Sequence, residues 1–450
     1  MPASAPRRWI ALGVFALVAA GCSAAPAGQP TVTGTARPSS GGADTPSPAS
    51  GPPSLTVTPG DGSAGIGLDE PITVTAKNAE ISGVSVDEDG SSVSLAGVMS
   101  SDHEVWQYQG GLDLASTYQV TATASGAQGV RASATATFTT ITSAKRLLTS
   151  VEYINPGETV GVGMPIDLSF NTPIPAADQP GVIAHIAVMS DPAQEGGWYW
   201  LDPEDVHYRP AVYWEPGTKV TIVADLKGVD AGNGYWGLGD WSESFAVGAE
   251  HVTVVNTATR TMQVYDGDPE QGGQLLYTWS TNTGKPGFYT INGILVVLYH
   301  LPVVDMESCP TFHTAAACTP GGSEYYNENV YDDTAVSTDG YYIHAAPWVC
   351  GTSAAVCDLW PYGDTNSSHG CINLNTDNAV IYYSWSQVGD VVEVLGSPLE
   401  ASYSDGEGDW QTPWSDYAQG GQDVPSQATA PASQPTTSGP TSTPSAVAGP

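Results

Sequence analysis

Reactive residue types concentrate in one stretch, Asn366-Ser367-Ser368-His369-Gly370-Cys371-Ile372-Asn373. A cysteine stands between a glycine and an isoleucine, with one histidine two positions before it. A second histidine, His344, lies upstream in Tyr341-Tyr342-Ile343-His344-Ala345-Ala346-Pro347-Trp348. The chemistry this pair offers is attack by sulfur on a carbonyl carbon. A thiol with an ordinary pKa of about 8.5 is barely ionised at neutral pH, and an imidazole that takes its proton makes it a nucleophile. Gly370 permits a sharp turn, after which the amides of Gly370 and Cys371 can aim at the oxygen of a tetrahedral intermediate. The alternative is a structural cysteine beside a surface histidine. The density of reactive types from Ser368 to Asn373 favours the nucleophile.

His344, His369 and Cys371 could instead hold a metal, but no acidic third ligand stands at a telling spacing, so no metal and no cofactor are assigned. Besides Cys22 near the start of the chain, four cysteines, Cys309, Cys318, Cys350 and Cys357, precede the reactive one. In an exported chain they imply two disulfides with three possible connectivities, of which Cys309–Cys318 with Cys350–Cys357 is the simplest. A zinc knuckle is the weaker alternative, because neither pair has its close spacing.

Ser368, His369, Gly370, Cys371, Ile372 and Asn373, with His344 upstream, match the signature of the L,D-transpeptidases of bacterial cell walls, and the chain resembles that family. Its spacer, residues 345–367, is longer than the family's usual one and holds Cys350 and Cys357. The resemblance spans residues 250–396 and implies a mostly β catalytic domain. It assigns Cys371 as nucleophile and His344 as base and then acid, oriented by a backbone carbonyl at Ala345. It also implies that His369, Gly370, Ser368 and Asn373 shape the site, that Tyr326 serves a lid, and that Met306 lies on the substrate side. The implied reaction moves the acyl group of diaminopimelate, third residue of a tetrapeptide stem, onto Cys371 and releases D-alanine. The side-chain amine of a second stem then takes it, giving a 3→3 cross-link in peptidoglycan. Hydrolysis (an L,D-carboxypeptidase) or attachment of a protein amine would use the same nucleophile, and an inert wall-binding lipoprotein is the alternative of another class.

The elements that must position these residues are strands. The spans Val252-Thr253-Val254-Val255 and Thr261-Met262-Gln263-Val264-Tyr265 read as a hairpin. Further β follows at Leu275–Trp279, Gly293–Tyr299 and Gly389–Val394, with one helix at Thr376–Gln387. Upstream, short alternating runs separated by Gly, Asp and Ser give two immunoglobulin-like β-sandwich domains, at residues 54–141 and 144–248. The second includes an expected strand from Val182 to Val188, and its His185 and His207 have no partner legible in sequence and read as structural. The fold class is thus mainly β: two sandwiches followed by the catalytic domain at residues 249–396. An aromatic extension over residues 397–418, Gly408 to Tyr417 at its centre, is expected to dock back onto a neighbouring domain.

The ends of the chain concern address. Arg7-Arg8 precede an apolar run from Trp9 to Ala20, too short to span a bilayer comfortably. Val18-Ala19-Ala20-Gly21-Cys22 resembles a lipoprotein cleavage box, which implies a lipid on Cys22 and anchoring to the outer face of the cell membrane. Residues 23–53 and 419–450, rich in Pro, Ser, Thr, Ala and Gly, read as a disordered tether and tail. With 12 Lys+Arg against 47 Asp+Glu, a net charge of −35 argues against nucleic acid as a partner.

Overall fold

The computed structural model describes residues 51–307, 327–350 and 366–420, with only the backbone at Glu307, Val349, Cys350 and Ser404. Period-two patterning builds the first sandwich. In the strand Ile72–Lys77, Ile72, Val74 and Ala76 are buried while Thr75 and Lys77 face out. Tyr118, Val120, Ala122 and Ala124 do the same along Thr117–Gly126. Two four-stranded sheets therefore close on one core, which includes Trp106, Tyr118, Val120 and Phe138.

The second sandwich repeats the scheme. One sheet runs Thr149–Glu152, Ile166–Phe170, Asp205–Pro210, Gly196–Trp200, and the other Thr159–Val160, Trp241–Val247, Lys219–Ala224, Ile186–Asp191. The strand expected from Val182 is corrected. Gln179–Ile183 is a short helix with Pro180 in its first turn, and pairing begins only at Ile186. Proline suits the first helical turn, where its missing N–H costs nothing.

This sandwich and the catalytic domain share a core. Val252 and Val391 of the latter join Val160, Met164, Trp214 and Val247 of the former. The backbones meet directly, with Gly161 N–H on Val388 O at 2.7 Å and Gly163 N–H on Gly389 O at 2.9 Å. A Cβ on Gly161 would stand 2.3 Å from the Asp390 nitrogen, so only glycine fits this approach.

The catalytic domain packs two sheets. The larger runs Gln274–Ser280, Thr261–Asp266, His251–Asn256, Val391–Leu395, Ile291–Val296, Leu399–Glu400. Its hairpin turns where Asn256 Oδ1 accepts from the amides of Ala258 and Thr259. The smaller sheet runs Tyr299–Glu307, Asn327–Ala335, Tyr342–Ala345, Ile372–Leu374. Val255, Met262, Val264, Ile343, Ile372, Val392 and Val394 fill the space between them. The helix Thr376–Trp385 is capped by Asn375, whose Oδ1 accepts from Asn378 N–H, and it buries Ala379 and Tyr382.

The extension docks as expected. Trp410 Nε1 donates to Gly163 O at 2.7 Å, and Tyr199 stacks on both Tyr403 and Tyr417. The Arg209 guanidinium lies over the rings of Trp410 and Tyr417 at 4.5 and 4.4 Å. His207 also has partners that its local sequence does not show: Asp167, Glu407 and Asp409.

Candidate active site

Strand register brings the cysteine to the histidine. Tyr342–Ala345 and Ile372–Leu374 are parallel neighbours, with His344 opposite Asn373. Ile343, Ala345, Ile372 and Leu374 point into the domain core. Alternation then puts His344, Asn373 and Cys371 on the other face, Cys371 one pleat before Asn373. That face borders a cavity of about 570 Å³, lined by His344, Cys371, His369, Asn373, Met306 and Trp348 among others. The volume suits a peptide-sized ligand.

The turn that carries Cys371 is held from behind by the small-residue run after the Gln274–Ser280 strand. Asn282 Nδ2 donates to Ser367 Oγ at 2.7 Å, and Asn282 Oδ1 accepts from Ser367 N–H at 2.8 Å. Thr281 Oγ1 donates to Asn373 O at 2.8 Å, and Thr290 Oγ1 to Gly370 O at 2.6 Å. Ser368 N–H donates to Thr283 O, and Lys285 N–H returns to Ser368 O. These contacts make Thr281–Lys285 and Thr290 the brace of the turn that carries Cys371.

Gly370 has φ +129°, where a side chain is strained, and a Cβ there would stand 2.7 Å from Tyr341 Cε1. Its amide differs from expectation. Gly370 N–H donates to Ser368 Oγ at 3.1 Å, while Ser368 Oγ–H donates to Cys371 O at 2.7 Å. Ser368 thus spends its hydroxyl on the turn. Backbone hydrogen bonding from Tyr342 and from Cys371 itself partly offsets the upward push of burial on the thiol. The oxyanion donors expected at Gly370 and Cys371 are corrected at the first position, because the nearer serine oxygen captures that N–H.

His344 is buried, and its Nδ1 lies 2.8 Å from Ala345 O. A carbonyl only accepts, so Nδ1 carries the proton and Nε2 keeps its lone pair. Burial holds His344 down to about 4. Burial pushes the Cys371 thiol up to about 12, with Asp333 adding to the rise. The sulfur makes a long contact, 3.7 Å, to Gly340 O. The resting pair is therefore neutral imidazole and neutral thiol, and the proton must move as the sulfur attacks. Trp348, half-exposed, stacks on His344 at 6.0 Å between ring centres.

The remaining expected residues separate into two groups. His369 faces the cavity, with Lys285 Nζ 2.9 Å from its Nε2 and Phe288 edge-on to its ring. Asn373 is buried, and its Oδ1 accepts no hydrogen bond among the described residues. That leaves an acceptor available to a ligand N–H. Met306 lines the same cavity. Tyr326, Cys22, Cys309, Cys318 and Cys357 lie outside the described residues, as does the side chain of Cys350. Lys285, Trp348 and Asp333 escape local sequence reading because they carry no motif of their own and reach the site only through tertiary packing.

Comparison with known proteins gives two matched regions: a bacterial Ig domain at residues 63–230 and an L,D-transpeptidase catalytic domain at residues 250–394. L,D-transpeptidase 2 of Mycobacterium tuberculosis is 32% identical over 373 residues, covering 82% of this chain and 85% of that protein. L,D-transpeptidase 5 of the same organism is 30% identical over 370 residues, covering 80% and 75%. Among solved structures, an L,D-transpeptidase from Mycobacterium smegmatis is 26% identical with a TM-score of 0.42, covering 56% of this chain and 99% of its own.

Proposed function

The chain belongs to the L,D-transpeptidase family, and on that premise we propose that it forms 3→3 cross-links in peptidoglycan through a thioester on Cys371. The observation that carries the reading is the placement of Cys371 and His344 on one face of neighbouring parallel strands beside the cavity. The Cys371 sulfur attacks the carbonyl of diaminopimelate in a tetrapeptide donor, and its proton passes to His344 Nε2. Collapse of the tetrahedral intermediate breaks the amide, and His344 returns the proton to the departing D-alanine amine. An acceptor's side-chain amine then attacks the thioester. His344 takes that proton and hands it back to the leaving thiolate, so the enzyme is restored.

The amide of Cys371 donates to the developing oxyanion. Asn373 Oδ1 and Met306 orient the donor stem. Cys22 carries the lipid that keeps the enzyme at the outer face of the membrane. Replacing Cys22 by serine should shift the protein from the membrane fraction to the soluble exported fraction; unchanged partition would place the anchor elsewhere.

The decisive assay incubates the full chain with a tetrapeptide-stem muropeptide and reads products by mass. A dimer lighter than two donors by one alanine, absent with Cys371→Ala, is the expected result. Tripeptide product with no dimer would make it an L,D-carboxypeptidase. Unchanged donor would return the chain to a wall-binding role.

A further inference from the structure

The second sandwich and the aromatic extension meet around a buried histidine that the reaction does not use. His207 and Asp167 are direct cross-strand partners, on Asp205–Pro210 and Ile166–Phe170. Glu407 and Asp409 come from the extension, two residues apart. All four are at most 9% exposed. His207 Nδ1 stands 3.0 Å from Asp409 Oδ2 and 3.5 Å from Glu407 Oε2. The three ligand-capable atoms lie within 4.8 Å of one another. We propose that His207, Glu407 and Asp409 bind a divalent cation of the zinc class, which clamps the extension to the second sandwich.

Spacing is the first reason. A tetrahedral ion with bonds of about 2.0–2.2 Å holds its ligand atoms roughly 3.3–3.5 Å apart, and the His207 separations of 3.0 and 3.5 Å bracket that range. The second reason is an unanswered oxygen. Glu407 Oε2 accepts no hydrogen bond among the described residues, although the residue is only 4% exposed, and it faces the imidazole. A carboxylate oxygen buried without a donor or a cation is costly.

The surroundings have the order that a metal site needs. Without a metal His207 Nδ1 donates to Asp409 Oδ2 at 3.0 Å; an entering cation displaces that proton to solvent, and the ring keeps its other proton on Nε2, 3.3 Å from Asp167 Oδ1. The other oxygen of Asp409, Oδ1, accepts from both Tyr403 OH and Tyr417 OH at 2.6 Å, fixing the carboxylate with Oδ2 toward the histidine. Arg209 does not neutralise the cluster by contact. Its guanidinium donates to Pro210 O and Thr412 O and is stacked among aromatic rings. One nitrogen and two carboxylates suit zinc better than calcium, which asks for six to eight oxygens.

The test loads the full chain with Zn²⁺, desalts it, and reads bound metal by native mass spectrometry and thermal melting, with Mg²⁺ as control. One zinc per chain should survive desalting and raise Tm, and a chelator should reverse both. Glu407→Gln should weaken zinc binding by at least ~10-fold, and Tyr417→Phe, which removes one of the two donors to Asp409 Oδ1, by ~10-fold. Tyr417→Phe keeps the ligands in place and so answers the question if Glu407→Gln folds poorly. If a proton on His207 is the only cation here, the wild type retains no zinc. That result, or equal retention by wild type and both variants, would overturn the proposal.

Discussion

At the scale of residues, burial shifts the proposed nucleophile Cys371 and the proposed base His344 in opposite directions. His344, held down to about 4, stays neutral and able to accept a proton at every physiological pH. Wild-type acylation should therefore lose rate only as pH falls through about 4. His344→Ala must rely on ionisation of the thiol itself, which burial has pushed up to about 12. Its acylation should be slower by orders of magnitude at neutral pH and climb about tenfold per pH unit in alkali. A variant with a flat profile and near-normal rate would remove His344 from the proton path. Asp333 makes a second residue-scale case. It is fully buried, neither carboxylate oxygen has a hydrogen-bond partner among the described residues, and burial, with Asp332 next, raises it to about 7. A raised carboxyl means the folded state holds a proton that the unfolded chain releases at lower pH. Stability is thus lost as pH climbs from the ordinary aspartate value through about 7. Asp333→Ala should improve in Tm relative to wild type between pH 5 and pH 8, by the equivalent of on the order of 2–4 kcal/mol. A Tm difference independent of pH would refute this.

At the scale of elements, the cysteine turn is held by the run Thr281–Lys285 rather than by its own sequence. Asn282, 1% exposed, answers both the backbone and the side chain of Ser367. Asn282→Ala would leave a buried N–H unpaired, costing about 1–3 kcal/mol. It should slow acylation of Cys371 without touching any reacting atom; an unchanged rate with lowered Tm would make the brace purely structural. This is also where sequence reading stops short. That Cys371 and His344 come together on one sheet face is legible because a contiguous signature carries one and a short apolar strand the other. Strands with period-two burial, such as Ile72–Lys77, are legible for the same local reason. Val182 misleads because a β-branched run gives the same apolar pattern in a short helix, and Pro180 decides the matter. The Gly370 amide misleads because its acceptor, Ser368 Oγ, is chosen by rotamer rather than by spacing. His207 and Asp409 stand 202 residues apart, and no local pattern pairs them.

At the scale of the whole molecule, the second sandwich, catalytic domain and extension behave as one packed body. The sandwich core takes in Val252 and Val391 of the catalytic domain, and the extension ties to both through Trp410 on Gly163 O and Gln411 on Ile294 O. The architecture ends at one sulfur, presented to one cavity. The most direct test is therefore made on the intact chain. A carbapenem needs only a competent thiol and an oxyanion site, and no wall substrate. Intact-mass measurement after incubation should show one covalent adduct per chain, located by peptide mapping on Cys371 and absent from Cys371→Ala. An adduct that persists in Cys371→Ala, or that maps to another residue, would contradict the assignment of Cys371 as nucleophile.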